Sequence, residues 1–234
     1  MSSISLYDSN PAHYESIQML RPDYASAKST LLELALKHLS SQGGVVLADF
    51  CCGTGLNTKM LAGRLPIEKA ILIDHNKEFI DLAKQSDINA SIEPVVGDIL
   101  QVPLVRCADA VVSMFAYHHV RDDQKMDYLK KVKEVLKKDG LLFLGEIYMP
   151  DKETTIEYYR KLYESIPEKS QELKDFLTQT AESDDYEYKV AKYFADGQLR
   201  EAGFEKLESR KIWPLDDEFG KDVGTFVEVW RVVE

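Results

Sequence analysis

The stretch that decides the fold is Val45-Val46-Leu47-Ala48-Asp49-Phe50-Cys51-Cys52-Gly53-Thr54-Gly55. Its first half is a short apolar run, typical of a parallel strand that is buried on both faces. The glycines of its second half allow the backbone to turn and to approach a ligand closely. The sequence therefore predicts a strand, a tight turn and a helix, with a ligand at the carboxyl end of the strand.

Helical and strand patterns alternate around this stretch, which favours an α/β fold. The expected helices cover 23–39, 57–64, 76–85, 122–138 and 193–202. The expected strands cover 45–50, 70–74, 93–98, 108–114 and 141–146, followed by an antiparallel pair at 204–212 and 225–233. We predict a Rossmann-like, doubly wound and mainly parallel seven-stranded sheet with an antiparallel last strand and a helical cap.

The chain, residues 1–234, is interpreted as a single domain because it contains no internal repeats and no Gly/Ser linker. Between 151 and 190 the pattern changes to acidic, tyrosine-rich sequence without a strand signal, which indicates inserted helices. We expect residues 1–22 and 148–192 to form cap or lid elements over an active site.

Charge and composition exclude several function classes. The 234 residues carry 29 basic and 40 acidic side chains, a net charge of −11, which disfavours binding to nucleic acid or to anionic lipid. No apolar run approaches the ~20 residues of a membrane helix, and the start lacks the pattern of a signal peptide. Three cysteines without a C-x-x-C predict reduced thiols, a cytoplasmic location and no metal centre.

Acidic residues end three successive predicted strands. Asp49 ends the first, Asp74 the second and Asp98 the third. A carboxylate at the second strand's end can accept hydrogen bonds from ribose hydroxyls, and one near the third can accept from the amine of a base. A dinucleotide fingerprint fits poorly, because Thr58 stands where its third small residue is needed. A phosphate-binding P-loop is excluded, since no Gly-Lys-Ser/Thr occurs.

Five motifs lie in order between residues 45 and 147. They are Asp49 to Gly55, Leu72-Ile73-Asp74-His75, Gly97-Asp98-Ile99, Asp109 to Val120, and Leu136 to Leu142. With these motifs the chain resembles the class I S-adenosylmethionine-dependent methyltransferases of the small-molecule type. One residue departs from the family pattern: Cys51 occupies the place of the first glycine, where a positive φ would be strained.

The resemblance implies S-adenosylmethionine as the cofactor and S-adenosylhomocysteine as its product. The residues that it implies for cofactor binding are Asp49, Cys51, Gly53, Gly55, Asp74, His75, Asp98, Ile99 and Phe115, with Tyr14 and Arg21 from an N-terminal helix. Asp49 is expected at the amino group, Asp74 at the ribose, and Asp98 with Ile99 at the adenine. Arg21 is expected to form a salt bridge with the methionine carboxylate.

The resemblance also implies an acceptor and a base. Candidate catalytic residues follow the fourth and fifth strands at the carboxyl edge of the sheet: His118, His119 and Glu146. One histidine of the pair could equally be structural, and Glu146 could be a buried carboxylate held by amides. The fourth strand lacks the N/D-P-P-Y/F of enzymes that methylate base amines, so we expect methyl transfer to O or N of a small molecule, by a monomer or homodimer.

Two other function classes stay open at this point. The first is a nicotinamide-dependent oxidoreductase, against which Asp49 and Thr58 argue. The second is a non-catalytic S-adenosylmethionine-binding partner or regulator, against which the His118–His119 pair and Glu146 argue. Use of the sulfonium for other chemistry, such as cyclisation, is a further possibility.

Overall fold

A computed structural model describes residues 11–182 and 187–233. The strands are β1 (Val45–Phe50), β2 (Ile67–Asp74), β3 (Ser91–Val96), β4 (Ala108–Met114), β5 (Leu136–Tyr148), β6 (Phe204–Trp213) and β7 (Gly224–Val232). They form one sheet in the order β3-β2-β1-β4-β5-β7-β6. The neighbours from β3 to β5 pair in parallel, and β7 runs antiparallel to both β5 and β6. The predicted fold class is therefore confirmed.

Helices cover both faces of the sheet and its carboxyl edge. They are α1 (Pro11–Met19), α2 (Pro22–Leu39), α3 (Leu56–Ala62), α4 (Lys77–Gln85), α5 (Lys125–Val135), α6 (Lys152–Ser165), α7 (Gln171–Glu182) and α8 (Lys192–Glu201). Two short 3₁₀ turns, Tyr117–His119 and Asp122–Gln124, lie between β4 and α5.

Alternating side chains of the strands form two hydrophobic layers. Leu47 of β1 packs with α2, α3 and α4 on one face, whereas Ala48 and Phe50 pack with α5 and α8 on the other. This alternation follows from the two-residue period of a strand, and burial on both faces explains the continuous apolar runs. A third cluster packs α6 and α7 onto the carboxyl end of β5 through Ile147, Tyr158 and Phe176.

The strand order reverses at β1, which pairs with β2 on one side and with β4 on the other. In open α/β sheets, a crevice for ligands forms outside the carboxyl ends of the strands at such a point. The fold therefore directs the loop after β1 and the segments after β2 and β4 to one place.

The predicted helix over 122–138 is shorter in the structure. A 3₁₀ turn occupies Asp122–Gln124, α5 ends at Val135, and β5 already begins at Leu136, which pairs with Ala108. The apolar stripe misled the prediction because Val135 and Leu136 are both buried, one in the helix and the next in the strand.

The expected cap falls partly outside the described residues, which exclude 1–10 and 183–186. Within the described ranges, α1 lies before α2, and the segment after β5 forms α6 and α7. Residues 187–190, which we call the strap, have no regular secondary structure and lie just before α8. Whether these elements close over a ligand stays a prediction.

The loop after β1 uses left-handed backbone at three positions. Gly53 has φ +54° and Gly55 has φ +76°, and a Cβ at Gly55 would lie 3.1 Å from Cβ of Ala83. Cys51 has φ +57°, although it carries a side chain. The expected turn therefore forms, and the strain falls on Cys51.

We predict that Cys51→Gly raises the free energy of unfolding by about 0.5–1 kcal/mol, because relief of left-handed strain exceeds the entropy that glycine adds to the unfolded chain. Urea unfolding measures the difference. Cys51→Ala serves as the control, since alanine keeps the Cβ and the strain. Equal stabilisation by alanine and glycine would contradict this account.

Candidate active site

A cavity of about 450 Å³ opens at the carboxyl ends of β1, β2 and β4. The sequence-predicted residues that line it are Cys51, Gly53, Asp74, His75, Asp98, Ile99, Phe115 and His119. Asp49, Gly55, Arg21, His118 and Glu146 are not among its lining residues. The side chain of Tyr14 lies outside the described part of the chain. The structure thus brings most of the predicted cofactor residues together around one space.

Asp74 ends β2 with its carboxylate at the cavity. One oxygen accepts from the N–H of Gly53 at 3.0 Å, and the other accepts from the N–H of Asn76 at 2.9 Å. Burial raises the pKa of Asp74, and these backbone donors act in the opposite direction. The carboxylate is therefore oriented by the loop and retains lone pairs for hydroxyl donors of a ligand.

Asp49 lies beneath the loop, with 1% of its surface exposed. The hydroxyl of Thr58 donates to its carboxylate at 2.6 Å. Burial raises the pKa of Asp49 to about 7, with a further rise from the charge of Asp74, while Thr58 and Lys28 oppose it. Thr58, the residue that breaks the dinucleotide fingerprint, thus satisfies a buried acid.

Asp98 follows β3 and forms a local turn. Its carboxylate accepts from the N–H of Leu100 at 2.9 Å and from the side-chain amide of Gln101 at 3.2 Å. Asp98, Ile99 and Leu100 all line the cavity. The turn combines an acceptor with apolar surface, as a purine requires.

Helix α2 and its N-terminal flank supply cavity residues that sequence reasoning missed. Tyr24 stacks on Phe115 with 5.1 Å between the ring centroids. The ammonium of Lys28 lies 4.6 Å from the centroid of the Tyr24 ring and 3.7 Å from the carboxylate of Glu15. These three residues, Glu15, Tyr24 and Lys28, line the cavity. The signal in the sequence for Tyr24 and Lys28 is their position shortly after Pro22, which begins α2.

Arg21 does not occupy the expected position. Its guanidinium donates to both carboxylate oxygens of Asp23, at 3.1 and 2.7 Å, and to Gln18 at 2.8 Å. The Asp23 carboxylate also accepts from the hydroxyls of Tyr158 and Thr225. Arg21 is therefore used in packing α2 against α6 and β7, and Lys28 is the α2 cation at the cavity.

Asn57 presents an acceptor in the same cavity. Its Oδ1 is buried and has no hydrogen-bond partner among the described residues. A buried amide oxygen of this kind is costly unless a ligand donates to it. Together with the acids described above, it fits a ligand that carries an ammonium group and hydroxyls, as S-adenosylmethionine does.

His118 and His119 follow β4 and face different surroundings. Nδ1 of His118 is hydrogen-bonded to Glu146, whose carboxylate also accepts from the N–H groups of His118 at 3.0 Å and Ile147 at 2.6 Å. Burial raises the pKa of Glu146 to about 7 and lowers that of His118. His119 is half-buried and lines the cavity, with its ring 4.2 Å from that of His118.

The turn that carries the histidines is held from two sides. The buried ammonium of Lys125 donates to the carbonyls of Val120 at 2.5 Å and Tyr117 at 3.4 Å. The N–H of Tyr188 donates to the carbonyl of His118 at 2.6 Å, which attaches the strap to the turn. These hydrogen bonds fix the backbone of the turn that carries His119 at the cavity.

Comparisons with known proteins agree with this geometry. Residues 47–140 match a family described as "Methyltransferase domain". An uncharacterized methyltransferase of Geobacillus sp. (strain WCH70) is 29% identical over 119 residues, which cover 50% of this chain and 54% of that protein. A demethylmenaquinone methyltransferase of Chlamydia pneumoniae is 27% identical over 143 residues, which cover 58% and 61%. The chain therefore spans between half and two thirds of these curated relatives.

A solved structure extends the likeness over nearly the whole chain. Burkholderia thailandensis 1,6-didemethyltoxoflavin-N1-methyltransferase, with bound 1,6-didemethyltoxoflavin and S-adenosylhomocysteine, superposes with a TM-score of 0.58 at 16% identity. The alignment covers 96% of this chain and 91% of that one, which shows a shared fold.

The match of residues 47–140 to the methyltransferase domain family, together with the curated relatives, supports the class I S-adenosylmethionine-dependent methyltransferase resemblance, and the solved structure shows the same fold. The resemblance found in the sequence is thereby confirmed. No helix in the described ranges has the length and apolar character to cross a membrane.

Proposed function

We propose that this protein transfers a methyl group from S-adenosylmethionine to an O or N atom of a small-molecule acceptor. The observation that carries the proposal is one cavity lined both by Asp74 and Asp98, at the ends of β2 and β3, and by His119. When bound, S-adenosylmethionine supplies an electrophilic methyl group on a positively charged sulfur.

The cofactor would be held along the carboxyl ends of the strands. Asp74 accepts from the ribose hydroxyls, and Asp98 with Ile99 holds the adenine. Asp49 compensates the charge of the amino group, and Oδ1 of Asn57 accepts a hydrogen bond from the same group. Lys28 pairs with the methionine carboxylate, which is the role first expected of Arg21. Cys51, Gly53 and Gly55 shape the loop, His75 flanks the ribose, and Phe115 packs on the methionine chain. A contact from Tyr14 remains a prediction.

His119 is the proposed base. A ring nitrogen of His119 would accept the proton that the acceptor atom loses as it takes the methyl group, and S-adenosylhomocysteine would be the other product. His118 and Glu146 are positioning residues in this scheme, because both are buried and neither lines the cavity. Their hydrogen bond fixes the turn on which the base is carried.

The acceptor class follows from charge and from similar proteins. A net charge of −11 disfavours a nucleic-acid or membrane partner. The enzymes named above act on toxoflavin and menaquinone precursors, which are small molecules. We propose that segments 1–22 and 148–192 form a lid over such an acceptor. A cytoplasmic location and a monomeric or homodimeric state stay predictions.

Two alternatives remain as outcomes of experiments. A nicotinamide-dependent oxidoreductase is disfavoured by the family match and by the Asp49–Thr58 pair under the loop. A non-catalytic S-adenosylmethionine-binding regulator would keep the cofactor residues and would not need His119 at the cavity.

We predict that S-adenosylhomocysteine binds with micromolar affinity and that NADH does not, as measured by calorimetry. Asp74→Ala should weaken this binding by about 10–100-fold, because it removes hydrogen bonds to a charged acceptor. Asp81→Ala is the matched control, since Asp81 lies on α4 and pairs with Lys77 away from the cavity. Binding of NADH alone would overturn the cofactor assignment, and unchanged affinity in Asp74→Ala would overturn the role of Asp74.

We predict that the affinity for S-adenosylhomocysteine rises between pH 6 and 7.5 by close to tenfold. The pKa of Asp49 is raised to about 7 by burial, so below that pH the carboxyl must release a proton before it can compensate the ligand's ammonium. Above about pH 8 the carboxylate is almost fully ionised, and the affinity should level off. Asp49→Asn should flatten this profile, and a wild-type profile retained in the variant would refute the assignment.

We predict that His119→Ala lowers kcat by about 10²–10⁴-fold while the affinity for S-adenosylhomocysteine changes little. Fractionated metabolite extract with a radiolabelled methyl donor identifies the acceptor and measures the rate. His38→Ala is the control, because its imidazole lies 3.4 Å from Glu208 and outside the cavity lining. Normal turnover in His119→Ala would remove the base, and absence of any labelled product would favour the regulator.

A further inference from the structure

The strap carries a carboxylate to the histidine pair. The N–H of Tyr188 donates to the carbonyl of His118 at 2.6 Å, and the carbonyl of Val190 accepts from the N–H of Met149 at 3.0 Å. These two bonds attach the strap to the turn after β4 and to the end of β5. As a result the buried side chain of Glu187 faces His118 and His119.

Three potential metal ligands converge there. One nitrogen of each imidazole and one carboxylate oxygen of Glu187 lie within 4.8 Å of one another. Ligands at 2.0–2.2 Å from a shared ion are separated by up to about 4 Å, so a closure of less than about 1 Å would bring all three into range. Two imidazoles and a carboxylate suit borderline first-row divalent ions rather than Mg²⁺ or Ca²⁺.

The surroundings of His118 are those of a metal-bound histidine. Its Nδ1 is hydrogen-bonded to Glu146, which leaves Nε2 as the nitrogen available to an ion. A carboxylate on the second ring nitrogen is the usual partner of a metal-bound imidazole, because it fixes the tautomer and the ring orientation. The Glu146 carboxylate is itself held by two backbone N–H groups.

The carboxylate of Glu187 already forms an ion pair with a lysine. The ammonium of Lys189 forms an ion pair with Glu187, and both side chains are buried. The same ammonium lies 5.1 Å from the centroid of the Tyr159 ring, so the aromatic face stabilises the cation together with Glu187. The neighbouring cations have their own partners: Arg21 pairs with Asp23, and Lys125 lies 3.3 Å from Asp122.

We propose that His118, His119 and Glu187 bind a first-row divalent cation of the Zn²⁺ class, in exchange for the ammonium of Lys189. The consequence for catalysis rests on the proposed function. An ion on His119 takes the lone pair that the base needs, so methyl transfer falls as the site fills. The site is then an inhibitory metal site.

Zinc titration of the chelator-treated 234-residue chain tests the proposal, with calorimetry for stoichiometry and Co²⁺ absorption for the ligand set. We predict one equivalent of Zn²⁺ per chain, with binding lost in Glu187→Gln and weakened by about 10–100-fold in Glu146→Gln. His38→Ala is the control for an ordinary imidazole–carboxylate pair and should bind as the wild type does. Absence of stoichiometric binding, or equal binding in Glu187→Gln, would overturn the site.

A second variant keeps the test decisive if Glu187→Gln fails to fold. Lys189→Met removes the competing ammonium, so it should bind Zn²⁺ about tenfold more tightly or better. In this variant the ion compensates the buried carboxylate of Glu187, so added Zn²⁺ should raise the Tm of Lys189→Met by more than it raises the Tm of the wild type. Zinc binding that weakens in Lys189→Met would contradict the exchange. Stoichiometric binding without inhibition would leave the site standing and would instead contradict His119 as the base.

Discussion

Desolvated carboxylates at the ends of β1 and β2 are the constraint on which the rest of the site depends. Burial raises the pKa of both Asp49 and Asp74, so each carries a cost in the unliganded protein. The hydroxyl of Thr58 donates a hydrogen bond to Asp49, and the N–H groups of Gly53 and Asn76 donate to Asp74. A ligand with an ammonium group and hydroxyls offsets this cost, whereas a pyrophosphate increases it. The loop geometry and the strand order place Asp74 at the cavity and Asp49 beneath the loop that lines it.

The sequence predicted the residues that sit at strand ends, because strand alternation and parallel pairing determine where those ends meet. It failed where a tertiary contact selects between similar side chains. Arg21 and Lys28 are both cations at the start of or within α2, yet Asp23, held also by Tyr158 and Thr225, takes the guanidinium. No local pattern reports that α6 and β7 deliver those hydroxyls to Asp23. Lys28 therefore lines the cavity and Arg21 does not, so a salt bridge from Arg21 to a methionine carboxylate stays a prediction that the geometry disfavours.

The same limit applies to the acceptor side. His118 and His119 are indistinguishable in sequence, but successive residues of a 3₁₀ turn point in different directions, one to Glu146 and the other to the cavity. Glu187 and Lys189 escaped notice because the strap lacks a periodic pattern, and its position depends on backbone bonds to His118 and Met149. His118 and His119 precede the inserted helices α6 and α7, and Glu187 follows them, so no short sequence window contains all three residues.

Charge balance bears on both the proposed base and the proposed ion site, which lie in one small region. Lys189, Lys125 and Arg21 all lower the pKa of His118 beyond the effect of burial, so the imidazole stays neutral beside an acid whose pKa is about 7. A divalent ion would meet the same positive field, and it gains a carboxylate only when Lys189 leaves Glu187. The ion pair and the metal are therefore alternatives on a single carboxylate. The backbone hydrogen bonds to His118 and Met149 hold the strap independently of the cation at Glu187. The proposed replacement of the Lys189 ammonium by a metal ion would therefore occupy the lone pair of His119 without displacing the strap.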